Sequence, residues 1–302
     1  MPLPSLRQLT YLVALHDHQH FGRAAAAAFV TQSTLSVGIA ELERVLGTLL
    51  VERSKRSVRF TAVGEEIVER ARAMVRAGED LVAVAQRARE PLVGAIRLAA
   101  IPTIAPFLLA GIMAETARAW PRLRLVIREM LTGPACEGLQ RGTLDCVLLA
   151  LPAECGDFDA AEIMVDRLML ATAEPSASDL PAMLEEVDDA RLLLLEDGHC
   201  LRNHALSACR VAEPAADAPL VASTLQTLVQ LVDAGLGVTL LPEMAVAAGI
   251  LNGSQVHARA IAGDGAERRI ALVWRRRHPR EEEFRLLGAT IRAAVAPGPE
   301  LR

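Results

Sequence analysis

Aromatic residues and long uncharged apolar runs are scarce in this chain. Only 3% of its 302 residues are Phe, Tyr or Trp, which argues against single-stranded nucleic-acid binding by base stacking. No run of about 18 uncharged apolar residues occurs, and the first residues lack a basic segment followed by an apolar run. We therefore expect a cytoplasmic protein with no membrane partner.

Cysteines are few and irregularly spaced. The five are Cys136, Cys146, Cys155, Cys200 and Cys209, an odd set without a Cys-x-x-Cys pair. This pattern excludes a secreted disulfide framework and predicts thiols that stay reduced until a reaction joins them. We interpret the first three as structural or incidental, and we expect no cofactor and no bound metal.

Positive charge is concentrated at the start of the chain. The net charge is −5, yet the first 61 residues carry +3 and the remainder −8. A basic head on an acidic body is typical of a DNA-binding module joined to a separate domain. With 52% hydrophobic residues, the chain can bury two or three domain cores.

A helix-turn-helix pattern occupies the first fifty residues. Apolar residues lie on one helical face at Leu6, Leu9, Leu12 and Val13, and again at Leu35, Ile39, Leu42 and Leu46, before Gly47. The polar start of the later helix would enter the major groove of DNA. Candidate DNA contacts are Gln32, Ser33, Thr34 and Ser36. The alternative is an ordinary solvated face capped by Thr31.

Basic and apolar residues alternate from 51 to 61, as in a two-stranded wing with one buried face. Its cations Arg53, Lys55, Arg56 and Arg59 could lie along the phosphate backbone, where affinity comes from counterion release. A solvated basic hairpin is the alternative.

The helical pattern from 63 to 90 has a narrow apolar seam that predicts self-pairing.

Strand and helix patterns alternate after Pro91 and Gly94. Predicted strands cover residues 95–101, 123–130, 145–151, 167–173, 191–196, 219–223, 238–242 and 268–274. Such alternation predicts an α/β domain with mostly parallel sheets and a ligand cleft at the strand ends. The loops that contain Thr103, Thr132 and Gly198 would converge there.

Cys200 and Cys209 stand out because of their surroundings and their spacing. His199, Arg202 and His204 can supply positive charge near Cys200, which favours thiolate over thiol. On a helix the two Cα atoms would lie roughly 13 Å apart, whereas a disulfide tolerates about 7 Å. Joining them would rebuild the segment. Two small buried hydrophobes, or a zinc site with His204, are the alternatives.

The segments TQSTLS, LERVLGTLLVER, TAVG, LDCVLLAL, LLLLEDGHCLR and AGLGVTLLP closely resemble the LysR-type transcriptional regulators over nearly the whole chain. Within them, the chain resembles the hydrogen-peroxide-sensing OxyR subgroup. The resemblance implies a winged helix-turn-helix (1–62), a dimerising linker helix (63–91) and a two-lobed effector domain (92–302). That domain would be periplasmic-binding-protein-like with Rossmann-like subdomains, lobe I being 92–166 and 269–302, and lobe II 167–268.

The resemblance also implies a mechanism without catalytic turnover. In similar proteins the first cysteine attacks peroxide and the second resolves the sulfenic acid, which matches Cys200 and Cys209. The implied peroxide pocket contains Thr103, Thr132, His199, Arg202, Asn203 and Arg268. Implied partners are promoter DNA, hydrogen peroxide, RNA polymerase and further copies of the chain in a homodimer or homotetramer that activates oxidative-stress genes.

Three positions depart from the pattern: Ser33 replaces a proline, Asn203 an aspartate and Gly133 a histidine. The loss of an acid next to Cys200 puts the peroxide sensitivity in question, but not the cysteine pair. Three other functions compete with peroxide sensing. They are a LysR-type sensor of a small metabolite, a thiol peroxidase, and a solute-binding protein, which would require export.

Overall fold

The computed structural model describes residues 3–53, 58–87, 91–173, 182, 191–209, 221–262 and 266–295, and of residues 53, 80 and 83–87 only the backbone. It divides into two compact units, Met1–Pro91 and Leu92–Arg302. Within the described ranges no single helix is long and apolar enough to cross a membrane, although one strongly bent helix pair passes by length and composition. The predicted wing cations Lys55 and Arg56 lie outside these ranges.

The first unit is a helix-turn-helix followed by a wing and a long helix. Its elements are α1 (Leu6–His18), α2 (Phe21–Ala27), α3 (Gln32–Leu46), β1 (Val51–Arg53), β2 (Val58–Phe60) and α4 (Ala62–Arg87). Helices α2 and α3 form the strongly bent pair, with an angle of 98° between them. This angle falls in the range of helix-turn-helix motifs.

Local sequence signals set the ends of these helices. Ser5 and Gln8 form a capping box at α1, and the Thr31 side chain accepts a hydrogen bond from the Thr34 amide at α3. Helix α3 ends at Gly47, which has a φ of 69° that favours glycine. The predicted apolar faces form the core, except that Leu6 is 47% exposed.

A buried carboxylate fixes the wing to the helices. Glu43 accepts hydrogen bonds from the backbone amides of Leu50 at 2.9 Å and Val51 at 3.1 Å. Val51 pairs with Phe60 in the antiparallel ladder of β1 and β2. The base of the predicted wing therefore has a defined position on α3.

Helix α4 buries its first half and leaves apolar residues exposed further along. Val68 and Ala71 are buried in the core of the first unit, and Arg72 forms an ion pair with Asp17 of α1. Met74 and Val82, by contrast, are 53% and 52% exposed. The first half of α4 therefore belongs to the core of the first unit, and self-pairing through its exposed residues stays a prediction.

The second unit contains the remaining helices and strands. These are β3 (Gly94–Ala100), α5 (Ala105–Ala119), β4 (Leu123–Glu129), α6 (Thr132–Arg141), β5 (Cys146–Leu151), β6 (Phe158–Thr172), β7 (Leu194–Leu195), α7 (Cys200–Cys209), β8 (Val221–Ala222), α8 (Leu225–Asp233), β9 (Thr239–Pro242), α9 (Glu243–Ala247), β10 (His257–Ala260), β11 (Glu267–Arg275) and α10 (Glu281–Val295). Two-lobed α/β architecture is confirmed, because the unit has two separate hydrophobic cores.

The main sheet is mixed, so the prediction of mostly parallel sheets is wrong. Its strand order is β10-β6-β11-β5-β3-β4, with β9 also pairing β6. Strand β3 is parallel to β4 and β5, whereas β6 is antiparallel to β9, β10 and β11. Strand β6 begins at Phe158 rather than at 167, and its 15 residues pass from the first core into the second.

Candidate redox site and nucleic-acid interface

Cys200 is the first residue of α7 and lies where the two cores meet. It follows the turn at Gly198, whose φ of 93° favours glycine. The half-buried Cys200 side chain packs against the core that contains β3 and β5. Leu201 and Ala205, in the same helix, belong to the other core. The thiol therefore sits at the lobe boundary, at the positive end of a helix.

The surroundings of Cys200 favour its thiolate. Burial alone would raise the pKa of this thiol, but the neighbouring side chains of His204, Arg268 and Thr132 together lower it. A thiol whose pKa is lowered in this way is more nucleophilic at neutral pH than an ordinary cysteine.

His204 lies next to Cys200, and its surroundings favour the positively charged ring. Its Nδ1 atom lies 2.7 Å from the carbonyl oxygen of Cys200, and its Nε2 atom lies 3.0 Å from that of Leu151. A carbonyl oxygen only accepts hydrogen bonds, so the two contacts are satisfied together only when both ring nitrogens carry protons. Burial opposes this charge, but the Cys200 thiol and the two carbonyl groups outweigh it and raise the pKa of His204.

Arg268 is a second cation, and it is fully enclosed. Its Nε atom lies 2.8 Å from Asp166 Oδ2, and its two terminal nitrogens donate to the hydroxyl and carbonyl oxygens of Thr103 at 2.8 and 3.0 Å. Asp166 also accepts a hydrogen bond from the backbone amide of Met244. These contacts hold the guanidinium in one orientation, so its field at Cys200 is fixed.

The expectation that His199 adds positive charge is wrong. Burial lowers the pKa of His199 below its ordinary value, despite the opposing influence of Glu196 and a Ser223 backbone group, so the ring is neutral at pH 7. Its Nδ1 atom and the Oγ1 atom of Thr132 are buried, and neither has a hydrogen-bond partner among the described residues. Both atoms remain able to bind a small polar molecule.

Arg202 contacts residues other than Cys200, and Asn203 is exposed. The Arg202 guanidinium lies 3.0 Å from Asp197 and donates to the carbonyl oxygen of Leu195 at 3.2 Å, which fixes the turn before α7. Asn203 is exposed on that helix. At Gly133 a Cβ atom would meet nothing within 4 Å, so the departure there leaves open space at the start of α6.

Cys200 and Cys209 occupy opposite ends of α7, and neither is bonded to another cysteine. Nine residues of helix separate their Cα atoms by roughly 13 Å, which is beyond the reach of a disulfide.

Cys146 is fully buried. Its burial and the charge of Asp145 raise the pKa of its thiol well above the ordinary value, despite the opposing charge of Arg280. Among the described residues, no cluster of three or more His, Cys, Asp or Glu side chains could hold a metal ion.

Two important residues were absent from the predicted pocket. His204 was predicted to supply positive charge near Cys200 but was not placed in the pocket, although it lies one helical turn after Cys200 and shares its helix face. Asp166 gives no such signal, since it is far from Arg268 in sequence and becomes its partner only through the pairing of β6 with β11.

The polar start of α3 is accessible for DNA. Gln32, Ser33 and Thr34 are exposed, and Ser36 is half-buried. The Thr31 hydroxyl lies within 2.9 Å of the Ser33 and Thr34 hydroxyl oxygens, so these groups are ordered together. On the wing, Arg59 is exposed, and Arg53 ends β1.

Family models match most of the chain. Residues 6–65 match the bacterial regulatory helix-turn-helix protein of the lysR family, and residues 89–296 match the LysR substrate binding domain. The HTH-type transcriptional regulator EstR of Acinetobacter baylyi is 43% identical, covering 93% of this chain and 94% of EstR. The dual regulator OxyR of Escherichia coli K12 is 36% identical, covering 96% of each chain.

Among solved structures, a full-length Pseudomonas aeruginosa OxyR variant with one cysteine replaced by aspartate superimposes with a TM-score of 0.79 at 32% identity. The match covers 97% of this chain and 96% of that one. A peroxide-bound cysteine-to-serine mutant of Corynebacterium glutamicum OxyR gives a TM-score of 0.66 at 32% identity, covering 97% and 93% of the two chains.

Proposed function

Because the chain belongs to the LysR family of bacterial helix-turn-helix transcriptional regulators, we propose that it senses hydrogen peroxide through Cys200 and Cys209. The observation that carries this proposal is the Cys200 thiol at the start of α7, placed beside two cations, His204 and Arg268. Both cations stabilise the thiolate, which is the form of cysteine that attacks peroxide.

The chemistry requires two steps. The Cys200 thiolate attacks one peroxide oxygen, the O–O bond breaks, and the departing hydroxide takes a proton to become water. The resulting sulfenic acid then accepts attack by the Cys209 thiol, which forms the disulfide and releases a second water. Peroxide is the oxidant throughout, and each cycle consumes one molecule of it.

A pocket of four residues would hold the peroxide. Thr103 and Arg268 form one rigid side through their mutual hydrogen bonds. The Thr132 hydroxyl and the Nδ1 atom of neutral His199 can bind the peroxide oxygens on the other side.

Forming the second bond has a structural consequence. The sulfurs lie at opposite ends of α7, so a disulfide between them requires this helix to unwind. The unwound segment loses the His204 contact with Leu151 and the packing of Leu201 and Ala205 on the second core. Such a refolded segment is a two-state element that can bias the position of the DNA-binding heads.

The remaining parts suit a regulator of promoters. Gln32, Ser33, Thr34 and Ser36 would contact the major groove, and the cations Arg53, Lys55, Arg56 and Arg59 the phosphates. The exposed Met74, Leu81 and Val82 of α4 would pair with the same helix of a second copy. Homotetramer formation, contact with RNA polymerase and activation of oxidative-stress genes complete the proposal.

A mutant pair tests the sensor. Operator DNA is first selected from random sequences with the full-length protein, and binding is then footprinted before and after micromolar peroxide. Cys200→Ser should bind the operator but show no change with peroxide, whereas Cys209→Ser should accumulate sulfenic acid. Cys146→Ala, which removes a thiol elsewhere, should respond normally. A Cys200→Ser protein that still changes its footprint would end the peroxide proposal.

The chain is more similar to the transcriptional regulator EstR, at 43% identity, than to OxyR of Escherichia coli, at 36%, so a second candidate function within the LysR family is kept. A regulator whose effector lobes bind a small metabolite would change its footprint under full reduction, with both thiols intact. A screen of metabolites in the presence of excess thiol reductant, read by the same footprint, distinguishes the two. Metabolite sensing would be favoured if a metabolite changes the footprint under these reducing conditions and changes it equally in Cys200→Ser.

A further inference from the structure

A disulfide joins Cys136 of α6 to Cys155 in the loop after β5. The two Cα atoms lie 4.7 Å apart, within the usual range for such a bond. Both side chains are only 2% exposed. Nothing in the proposed reaction of Cys200 and Cys209 uses this pair.

The two bonded cysteines belong to segments that contact the start of α7. Cys136 lies one helical turn after Thr132, one of the residues that lower the pKa of the Cys200 thiol. Cys155 lies four residues after Leu151, whose carbonyl oxygen binds the Nε2 atom of His204. The disulfide therefore ties together the two backbone segments of the first core that support Cys200 and its neighbouring cation.

One end of the bond lies in a loop, although both cysteines pack into the first core. Cys155 is buried between two exposed residues, Glu154 and Gly156, in a loop rather than in a strand or helix. Loops open at a lower free-energy cost than central strands, so local opening would begin on the Cys155 side of the bond. Cys146 differs, because it lies within a central strand of the sheet.

We propose that Cys136 and Cys155 form a second thiol–disulfide switch, which when closed holds Thr132 and the Leu151 carbonyl group in contact with Cys200 and His204. This inference rests on the proposed peroxide-sensing function of Cys200. The switch would make the sensor depend on the cellular thiol pool as well as on peroxide.

The oxidant for this pair is a low-molecular-weight disulfide such as glutathione disulfide. The Cys155 thiolate attacks one sulfur of that disulfide, which breaks the S–S bond and releases one glutathione thiolate. The Cys136 thiolate then attacks the mixed disulfide at Cys155, forms the internal bond and releases the second glutathione. Two protein thiols are oxidised and one glutathione disulfide is reduced, and two reduced glutathione molecules reverse the exchange.

The first experiment follows the pair itself in full-length Cys200→Ser protein, so that peroxide chemistry plays no part. The protein is equilibrated in glutathione buffers from fully reduced to fully oxidised, and thiols are quantified by differential alkylation and mass spectrometry. The Cys136–Cys155 bond should open and close between the two extremes, without unfolding. A pair that stays wholly bonded or wholly reduced in every buffer overturns the switch.

The second experiment measures coupling to Cys200 in full-length Cys209→Ser protein. Alkylation of Cys200 by iodoacetamide at neutral pH should be about tenfold faster when the second pair is bonded than when it is reduced. Adding Cys136→Ala and Cys155→Ala should give the slow rate in every buffer, whereas adding Cys146→Ala should preserve the difference. Equal rates for the bonded and reduced forms overturn the coupling.

These readouts separate the two proposals. Iodoacetamide reports the reactivity of the Cys200 thiol whether or not peroxide ever joins it to Cys209. A protein that shows the coupling but forms no Cys200–Cys209 bond would refute the peroxide reaction alone. A protein that forms that bond at a rate independent of the second pair would refute the switch alone.

Discussion

His204 connects the two lobes through a hydrogen bond to Leu151: its Nε2 atom lies 3.0 Å from the carbonyl oxygen at the end of β5. The same ring donates to the carbonyl oxygen of Cys200 within its own helix. Because both bonds need a proton on the ring, the charge beside the reactive thiol and the contact between lobes depend on one titrating group. Oxidation that unwinds α7 would remove both.

Replacing His204 tests its effect on the thiol. His204→Gln keeps a hydrogen-bonding side chain but removes the charge, so the thiolate of Cys200 should become less stable. Alkylation of Cys200 at neutral pH should slow by about tenfold, and its pH profile should move to higher pH. Asn203→Ala, at the adjacent exposed position, should leave the profile unchanged. An identical profile for His204→Gln would mean that Arg268 and the helix start are sufficient.

The stability of the reduced protein should depend on the proton of His204. Its pKa is raised in the folded state, so its stabilising contribution is complete below the unfolded-state value and is lost as pH rises through the folded-state value. The difference in the free energy of unfolding between wild type and His204→Gln should therefore be larger at about pH 6 than at about pH 9. Urea denaturation at both pH values measures it, and a constant difference would contradict the imidazolium.

The ion pair between Arg268 and Asp166 should contribute strongly to folding. Asp166→Asn leaves an enclosed guanidinium without its carboxylate, and breaking such a pair costs about 3–5 kcal/mol. Urea denaturation should show this loss in the second unit. Glu162→Gln is the matched control, because Glu162 and Arg269 form an exposed pair 3.8 Å apart that should contribute less than about 1 kcal/mol.

DNA contacts should divide into two classes. Gln32→Ala should weaken binding to the selected operator by about 1–3 kcal/mol and leave the salt dependence unchanged, as expected for a base contact. Arg59→Ala should weaken binding to all sequences and reduce the slope of log affinity against log salt by about 1. Arg118→Ala, an exposed cation of the second unit that is paired with Glu115, should change neither. Fluorescence anisotropy at several salt concentrations distinguishes these outcomes.

Gly64 should be essential for packing α4 against the wing. A Cβ atom there would overlap the carbonyl oxygen of Leu50, which is backbone and cannot move aside easily. Gly64→Ala should destabilise the first unit by about 1–3 kcal/mol. In Gly111→Ala the nearest atom to the new Cβ is 3.7 Å away, so this change within α5 should stabilise by about 0.4–1 kcal/mol. Thermal unfolding of both variants tests the contrast.

Secondary structure was predictable wherever it depends on neighbouring residues. Thr31 and Gly47 mark the ends of α3, and the helical spacing of Leu35, Ile39 and Leu42 identifies its buried face. Strand β6 was only partly predicted, because its first half alternates weakly and is held by pairing with β11. Strand pairing depends on residues far apart in sequence, which is why the sheet was wrongly expected to be mostly parallel.

The charge states of the residues around Cys200 were likewise not predictable from the sequence. The sequence places His199, Arg202 and His204 near it, but only the packed structure determines which of them is charged and available. Burial leaves His199 neutral, Asp197 pairs with Arg202, and the Leu151 carbonyl group keeps the proton on His204.

By itself, the sequence determined the helix-turn-helix, the α/β character of the second unit and the position of two cysteines nine residues apart, because capping, periodicity and spacing are local properties. Tertiary structure alone decided that Arg268 meets Asp166 and that Cys136 meets Cys155. Those pairings depend on how distant segments pack, since burial and the identity of the facing residue set both the charge of a side chain and the reactivity of a thiol.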